Sequence, residues 1–302
     1  MTRFDLIPRG PFSLEESALF GFGQRHQDAF EGTLRLAFGV DGFAGLAGVA
    51  LTQEGGLHGV VRGEICARVG DAPAGVIAAQ VARVLSLDQD ATGFVAVGDR
   101  DPVVSHLLEA APGLRPPLFY SPYEAAVWAV ISSRRPHNVA EGWRRRLSAA
   151  GGPALAVAGQ TMWALPTPAT IAVLGPEGVA GATGMDAVRS RRVVDVAEAA
   201  WSGHLDADRL RAMEPAAARR QLRAIPGIGA FYAELILIRA TGATDLFPGS
   251  EPKLLGLLGD LYGLGGPATP AEAAALAEGW APWRTWVAVL VRAAGRRVLA
   301  AA

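Results

Sequence analysis

The segment Leu222-Arg-Ala-Ile-Pro-Gly-Ile-Gly229 constrains this chain more than any other feature, because it admits a tight turn between two helices and little else. Two glycines spaced two apart let the backbone turn sharply and leave consecutive N–H groups exposed where the next helix begins. Such a nest, added to the helix dipole, binds an anion. Between Gly227 and Gly229, Ile228 anchors the turn in the core, and Pro226 stiffens the approach to it. Leu222, Ile225, Ala233 and Ile236 are spaced to pack the two helices together. A ligand-free helix-to-helix turn is the alternative these residues leave open.

The chain on either side has two textures. Residues 1 to 112 alternate and turn. Leu34, Leu36, Phe38 and Val40 interleave with Arg35, Ala37 and Gly39, the period of a half-buried strand. Asp41-Gly42 and Gly55-Gly56 offer turns, flanked by strand candidates at Gly48–Leu51 and Leu57–Val61. Ala74 to Leu85 has helical spacing in Val76, Ile77, Val81, Val84 and Leu85. An α+β N-terminal domain, an antiparallel sheet with a helix, is expected there. Residues 113 to 302 predict an all-α domain. Its helices are expected at Pro122–Ser132, Val139–Ala149, Pro168–Leu174, Asp186–Trp201, Ala216–Arg223, Ala230–Ala240, Pro252–Leu261, Pro270–Trp280 and Pro282–Ala300. Ser121, Pro122 and Glu124 form a strong start signal for the first of these.

Composition excludes several classes. No apolar run approaches the roughly 18 residues of a membrane span. The N-terminal residues lack the charged-then-apolar layout of a signal peptide, so a cytoplasmic protein is expected. Cys66 is the only cysteine, which rules out an intramolecular disulfide and a cysteine-ligated cluster. The five histidines lack metal-ligand spacing, and no Ser-His-Asp set, P-loop or dinucleotide fingerprint occurs. Net charge is −1, so any nucleic-acid contact depends on local basic patches. Candidates are Arg144-Arg-Arg146 and Arg189 to Arg192, which serve equally as helix-surface charge.

With its neighbours, the hairpin resembles that of the helix-hairpin-helix DNA glycosylase superfamily, of the 3-methyladenine glycosylase type. The resemblance runs on through Phe247-Pro-Gly-Ser-Glu-Pro-Lys-Leu254, Trp280-Ala-Pro-Trp-Arg-Thr-Trp286, Tyr123–Ile131, Trp163–Pro168 and Gly184–Arg191. In the N-terminal half it includes Leu85–Asp90, Asp101-Pro102 and Pro112-Gly-Leu-Arg115. It implies a monofunctional enzyme of base excision repair that rotates an alkylated purine out of double-stranded DNA and hydrolyses its glycosidic bond, with no metal or organic cofactor. It also implies a monomer with no obligate protein partner.

On this resemblance Pro226, Gly227, Ile228 and Gly229 hold a DNA phosphate, and Glu251 stands where the family carries its catalytic aspartate. Glutamate keeps the charge but is one methylene longer, so a purely capping role, and with it a DNA-binding paralogue that does not cut, stays open. Asp245 is a substitute carboxylate six residues earlier. Phe231 occupies the position of the nucleophilic lysine of bifunctional members and cannot form a Schiff base. Phe231 and Trp280 fall where the family places aromatic residues of the base pocket, with burial in the core as the alternative. In the loop Ser132–Asn138, Ser133 takes the place of the family's glutamine beside the base, and Arg134 with Arg135 takes that of the wedge entering the duplex. A solvated basic loop is the other reading.

Overall fold

The computed structural model describes residues 2–21 and 30–301. Four strands, β1 (Thr2–Leu6), β2 (Leu34–Gly39), β3 (Gly45–Gln53) and β4 (Val61–Gly70), form an antiparallel sheet in the order β1-β4-β3-β2. The helices α1 (Leu14–Phe20) and α2 (Ala74–Val84) complete this N-terminal part. Leu34, Leu36 and Phe38 join Val81, Val84 and Leu85 in one core, as the period-two pattern requires.

The sheet is covered on its other face too. A two-stranded ribbon, β5 (Leu155–Val157) and β6 (Gln160–Met162), lays Leu155 and Val157 against Ala37 and Leu46. Gly48 makes room for it: a Cβ there would lie 2.5 Å from the Val157 Cγ2. This ribbon interrupts the otherwise helical C-terminal part, where the sequence predicts helices alone. Three-residue strands carry too little alternation to be read. The segment Leu57–Val61 also departs from expectation. Gly56–His58 is a short 3-10 turn and pairing starts only at Val61.

The helical part contains α3 (Pro102–Ala110), α4 (Pro122–Ser132), α5 (His137–Ala150), α6 (Pro168–Thr183), α7 (Ala187–Trp201), α8 (Ala207–Ala212), α9 (Pro215–Arg223), α10 (Ala230–Ala240), α11 (Pro252–Leu261), α12 (Pro270–Glu278) and α13 (Arg284–Ala301). α4 is buried along nearly its whole length and centres a core shared with α7, α9 and α10. Its cap is the one the sequence predicts, with the Ser121 hydroxyl accepting from the Glu124 N–H at 3.1 Å. α6 outruns its predicted end at Leu174, because Gly175 at φ 63° kinks the helix and Pro176 restarts it.

A third core follows contacts rather than chain order. Phe94, Val97, Val104, Leu107 and Leu114 pack with Leu254, Leu258, Trp286 and Leu290. The segment from Ala91 to Leu114, mostly within the first 112 residues, thus has its apolar partners in α11 and α13. Arg115 binds this arrangement together. Its fully buried guanidinium donates to the carbonyls of Arg9, Gly10, Pro11, Ser86 and Gln89. Burial pulls its pKa down to about 10, so it stays charged at neutral pH and its acceptors are what make burial tolerable.

Candidate active site and nucleic-acid interface

The hairpin joins α9 to α10. It is closed by the Ile225 N–H to the Leu222 carbonyl and the Ile228 N–H to the Ile225 carbonyl, both 3.1 Å. Ile225 and Ile228 are buried, whereas Pro226 and Gly229 are exposed. Gly227 sits at φ +92°, where a Cβ would also meet the Arg192 Cδ at 2.9 Å. Gly229 is the N-cap of α10, and no side chain caps it. The first amides of α10 therefore face outward at the positive end of the helix, on the exposed side of the turn. Gly229 itself has ordinary φ (−83°), and a Cβ added there would meet nothing within 4 Å. Only an approaching ligand would demand glycine there.

One cavity, of about 170 Å³, collects the chemistry. An apolar cavity of about 150 Å³ holds a benzene ring, so this one is on the scale of a nucleobase. Phe231 and Arg239 line it from the two ends of α10, Glu251 from the start of α11, Arg292 from α13 and Phe20 from the end of α1. The hairpin helix is thus also a pocket wall.

Glu251 is the N-cap of α11. Its two carboxylate oxygens accept from the Lys253 N–H at 3.2 Å and the Leu254 N–H at 2.7 Å. The Arg292 Nε lies 3.4 Å from its Oε2. The side chain remains 22% exposed, enough to meet a ligand. Phe231 is 49% exposed, which removes it from the core. Asp245, the substitute carboxylate, is tied to the Arg284 guanidinium at 2.9 Å and lines a different groove.

Trp280 and Ser133 are corrections. Trp280 is completely buried, stacks edge-on against Phe247 at 5.8 Å, and does not line the cavity. Its indole N–H donates to Asp101 at 2.9 Å, and that carboxylate also accepts from Tyr262 and caps α3. An indole satisfied in the core has no reason to turn towards the cavity. Ser133 caps the C-terminal end of α4 and is absent from the cavity lining. Its carbonyl, with that of Ile131, accepts from Arg189.

Those bonds fix the loop that follows. Arg134 is exposed at φ +54°, and Arg135 lies over the Trp143 ring at 5.6 Å. Both arginines therefore project from a firmly held loop. The basic clusters are mostly committed within the chain: Arg144 to Glu141, Arg146 to the Thr183 carbonyl and Arg191 to Asp195.

Arg239, Arg292 and Phe20 escaped sequence reasoning. Each arginine closes an apolar run, Leu235-Ile-Leu-Ile-Arg239 and Val287-Ala-Val-Leu-Val-Arg292, and a cation ending a buried helical stripe is the signal that points to them. Arg239 donates to the Pro117 carbonyl and lies over the Phe20 ring at 5.1 Å. Burial, and then the neighbouring charge of Arg292, lower its pKa to about 10.

No group of three or more His, Cys, Asp or Glu side chains that could hold a metal ion occurs among the described residues. No helix among them is long and apolar enough to cross a membrane.

No family model matches this chain. A Mycobacterium tuberculosis protein named as a probable bifunctional transcriptional activator and DNA repair enzyme AlkA is 30% identical over 209 residues, 69% of this chain and 40% of that protein. The chain thus spans less than half the length of that relative. A DNA-3-methyladenine glycosylase of Bacillus subtilis is 25% identical over 200 residues, 66% of each chain. The solved 3-methyladenine DNA glycosylase of Archaeoglobus fulgidus superposes with a TM-score of 0.75 at 20% identity, covering 96% of this chain and 97% of that one. The resemblance to helix-hairpin-helix glycosylases of the 3-methyladenine type therefore holds, and the fold, N-terminal sheet included, is theirs.

Proposed function

We propose that this chain, with its helix-hairpin-helix glycosylase fold, is a monofunctional DNA glycosylase that removes alkylated purines from double-stranded DNA. The observation carrying this is that Glu251 and Phe231 border one nucleobase-sized cavity whose wall is the hairpin helix. The hairpin amides and helix dipole hold a backbone phosphate, and a nucleotide rotated out of the duplex fills the cavity at a cost of a few kcal/mol. Arg134 and Arg135, on their fixed loop, fill the gap left behind and contact phosphate.

In the reaction a water oxygen bonds to the sugar C1′ while the glycosidic C–N bond breaks, and its electron pair leaves with the base. The Glu251 carboxylate stabilises the positive charge growing on the sugar and accepts the water's proton. Phe231 offers no amine, so no covalent sugar intermediate forms and the strand is left uncut at an abasic site.

The test is incubation with methylated duplex DNA, measuring free base, abasic sites and nicks separately. Released base with intact strands is expected. Nicks formed without alkali would end the monofunctional assignment.

A second reading has one observation in its favour. Both Glu251 oxygens are engaged by backbone amides and Arg292, as a purely structural cap would be. A lesion-binding protein that does not cut would bind the same duplex and release no base.

A further inference from the structure

The charge of the cavity bears on which base enters it. Among its described lining residues are two guanidinium groups, Arg239 and Arg292, and one carboxylate, Glu251. That carboxylate already faces Arg292 at 3.4 Å. The Phe20 ring, which could attract a cation through its π face, already carries the Arg239 guanidinium at 5.1 Å. Trp280 is locked to Asp101 in the core and contributes no ring. A positively charged base would thus meet one open ring, Phe231, and add a third cation to a described lining that holds one anion.

A purine methylated on a ring nitrogen carries a fixed positive charge while attached to the sugar. Such a base leaves readily and needs little help. An uncharged purine leaves as an anion, and that developing charge is what guanidinium groups beside it stabilise. Their N–H groups are donors only, and complement a base edge bearing a carbonyl oxygen or an unprotonated ring nitrogen. Arg239 keeps its charge for this purpose, since even its lowered pKa of about 10 lies well above neutrality.

We infer that Arg239 and Arg292 make this a pocket for uncharged purine lesions with an acceptor edge, such as neutral ring-closed alkyl adducts or deaminated purines, over ring-nitrogen-methylated cationic ones. The inference rests on the glycosylase reading of the cavity. A unit charge repelled across roughly 6 Å at an effective dielectric near 20 amounts to about a hundredfold, and solvent at Arg292, whose side chain is 37% exposed, reduces this to about tenfold.

Single-turnover release from otherwise identical duplexes containing 1,N6-ethenoadenine, hypoxanthine or 7-methylguanine tests it, each rate divided by that of the uncatalysed reaction. The neutral lesions should be accelerated at least about tenfold more than 7-methylguanine. Arg292→Gln should narrow that ratio, whatever it does to the absolute rates. Arg239→Gln should narrow it further, and circular dichroism shows whether that more buried variant folds. Equal or greater acceleration of 7-methylguanine by the wild type would overturn the inference, as would an unchanged ratio in folded Arg292→Gln. Affinity for the same duplexes separates the two failures. No release with preferential binding of the neutral lesions defeats the glycosylase reading and leaves the selectivity standing. No release and equal binding defeats both.

Discussion

Replacing Glu251 by glutamine isolates what the carboxylate's charge does from what its shape does. The amide retains one oxygen, so one of the two capping bonds, to Lys253 or Leu254, survives. Losing the other costs about 0.5–1 kcal/mol of the 0.5–2 kcal/mol that an N-cap is worth. The contact with Arg292 is part-exposed on both sides (37% and 22%) and adds at most about 1 kcal/mol. The structural cost is therefore about 0.5–2 kcal/mol, or a fall of roughly 1–3 °C in melting temperature for a protein of this size. Catalysis should suffer far more. Withdrawing one preorganised charge-stabilising group costs about 10²–10³ in rate. Base release under single turnover, measured 20 °C below the variant's melting midpoint, compares the two. A variant that melts within a few degrees of wild type and releases base at the wild-type rate would refute the catalytic assignment. One that melts more than about 10 °C lower would show the side chain to be chiefly a structural cap.

Four further outcomes follow from the structure. Gly227→Ala places a side chain at φ +92° against Arg192 and should destabilise the fold by about 1–3 kcal/mol by urea titration. Gly229→Leu meets open space and should leave the melting point unchanged while weakening duplex binding about tenfold or more; unaltered affinity would remove the phosphate from the hairpin. Asp101→Ala deletes the α3 cap and two bonds to a charged acceptor, and should cost about 4 kcal/mol; a loss under 1 kcal/mol would show that Trp280 does not depend on it. In acid, the backbone N–H groups of Thr92, Arg189 and Thr269 hold Asp90, Asp186 and Glu272 below the usual carboxylate range. A depressed carboxylate stabilises the fold above its unfolded value near 4 and loses that contribution as pH falls through the folded value, so the urea midpoint should drop between about pH 5 and 3. Replacing all three by their amides should flatten that drop.

Much of the fold was legible because it is locally encoded. Ser121-Pro122 and Glu251-Pro252 start helices at the expected residues, and Ile225-Pro-Gly-Ile-Gly229 turns where its glycines allow. The features that escaped are set by distant contacts. Ala37 reads as the solvent side of a strand, yet it is buried because a ribbon over a hundred residues later covers it. Trp280 has the right residue type and spacing for a pocket aromatic. Its side is decided by Asp101, 179 residues away. At the site, the carboxylate and Phe231 were readable from position within motifs. The two arginines were marked only as charges that end apolar runs, and nothing local says which face of the helix such a charge will meet. Similarly, α1 and α3 are seven and nine residues long, too short to show a helical period.

The placement of the hairpin and the pocket on a single helix has a consequence for searching DNA. α10 spans 11 residues, about 16 Å, with the hairpin at one end and the Phe231 to Arg239 wall along it. Such a rod is a ruler. As the protein moves along a duplex on the proposed reading, every phosphate it grips presents the nucleotide at one fixed offset to the cavity, so reading frame and grip are a single mechanical setting. Salt that loosens the grip would then blur the address being inspected as well as shorten the visit.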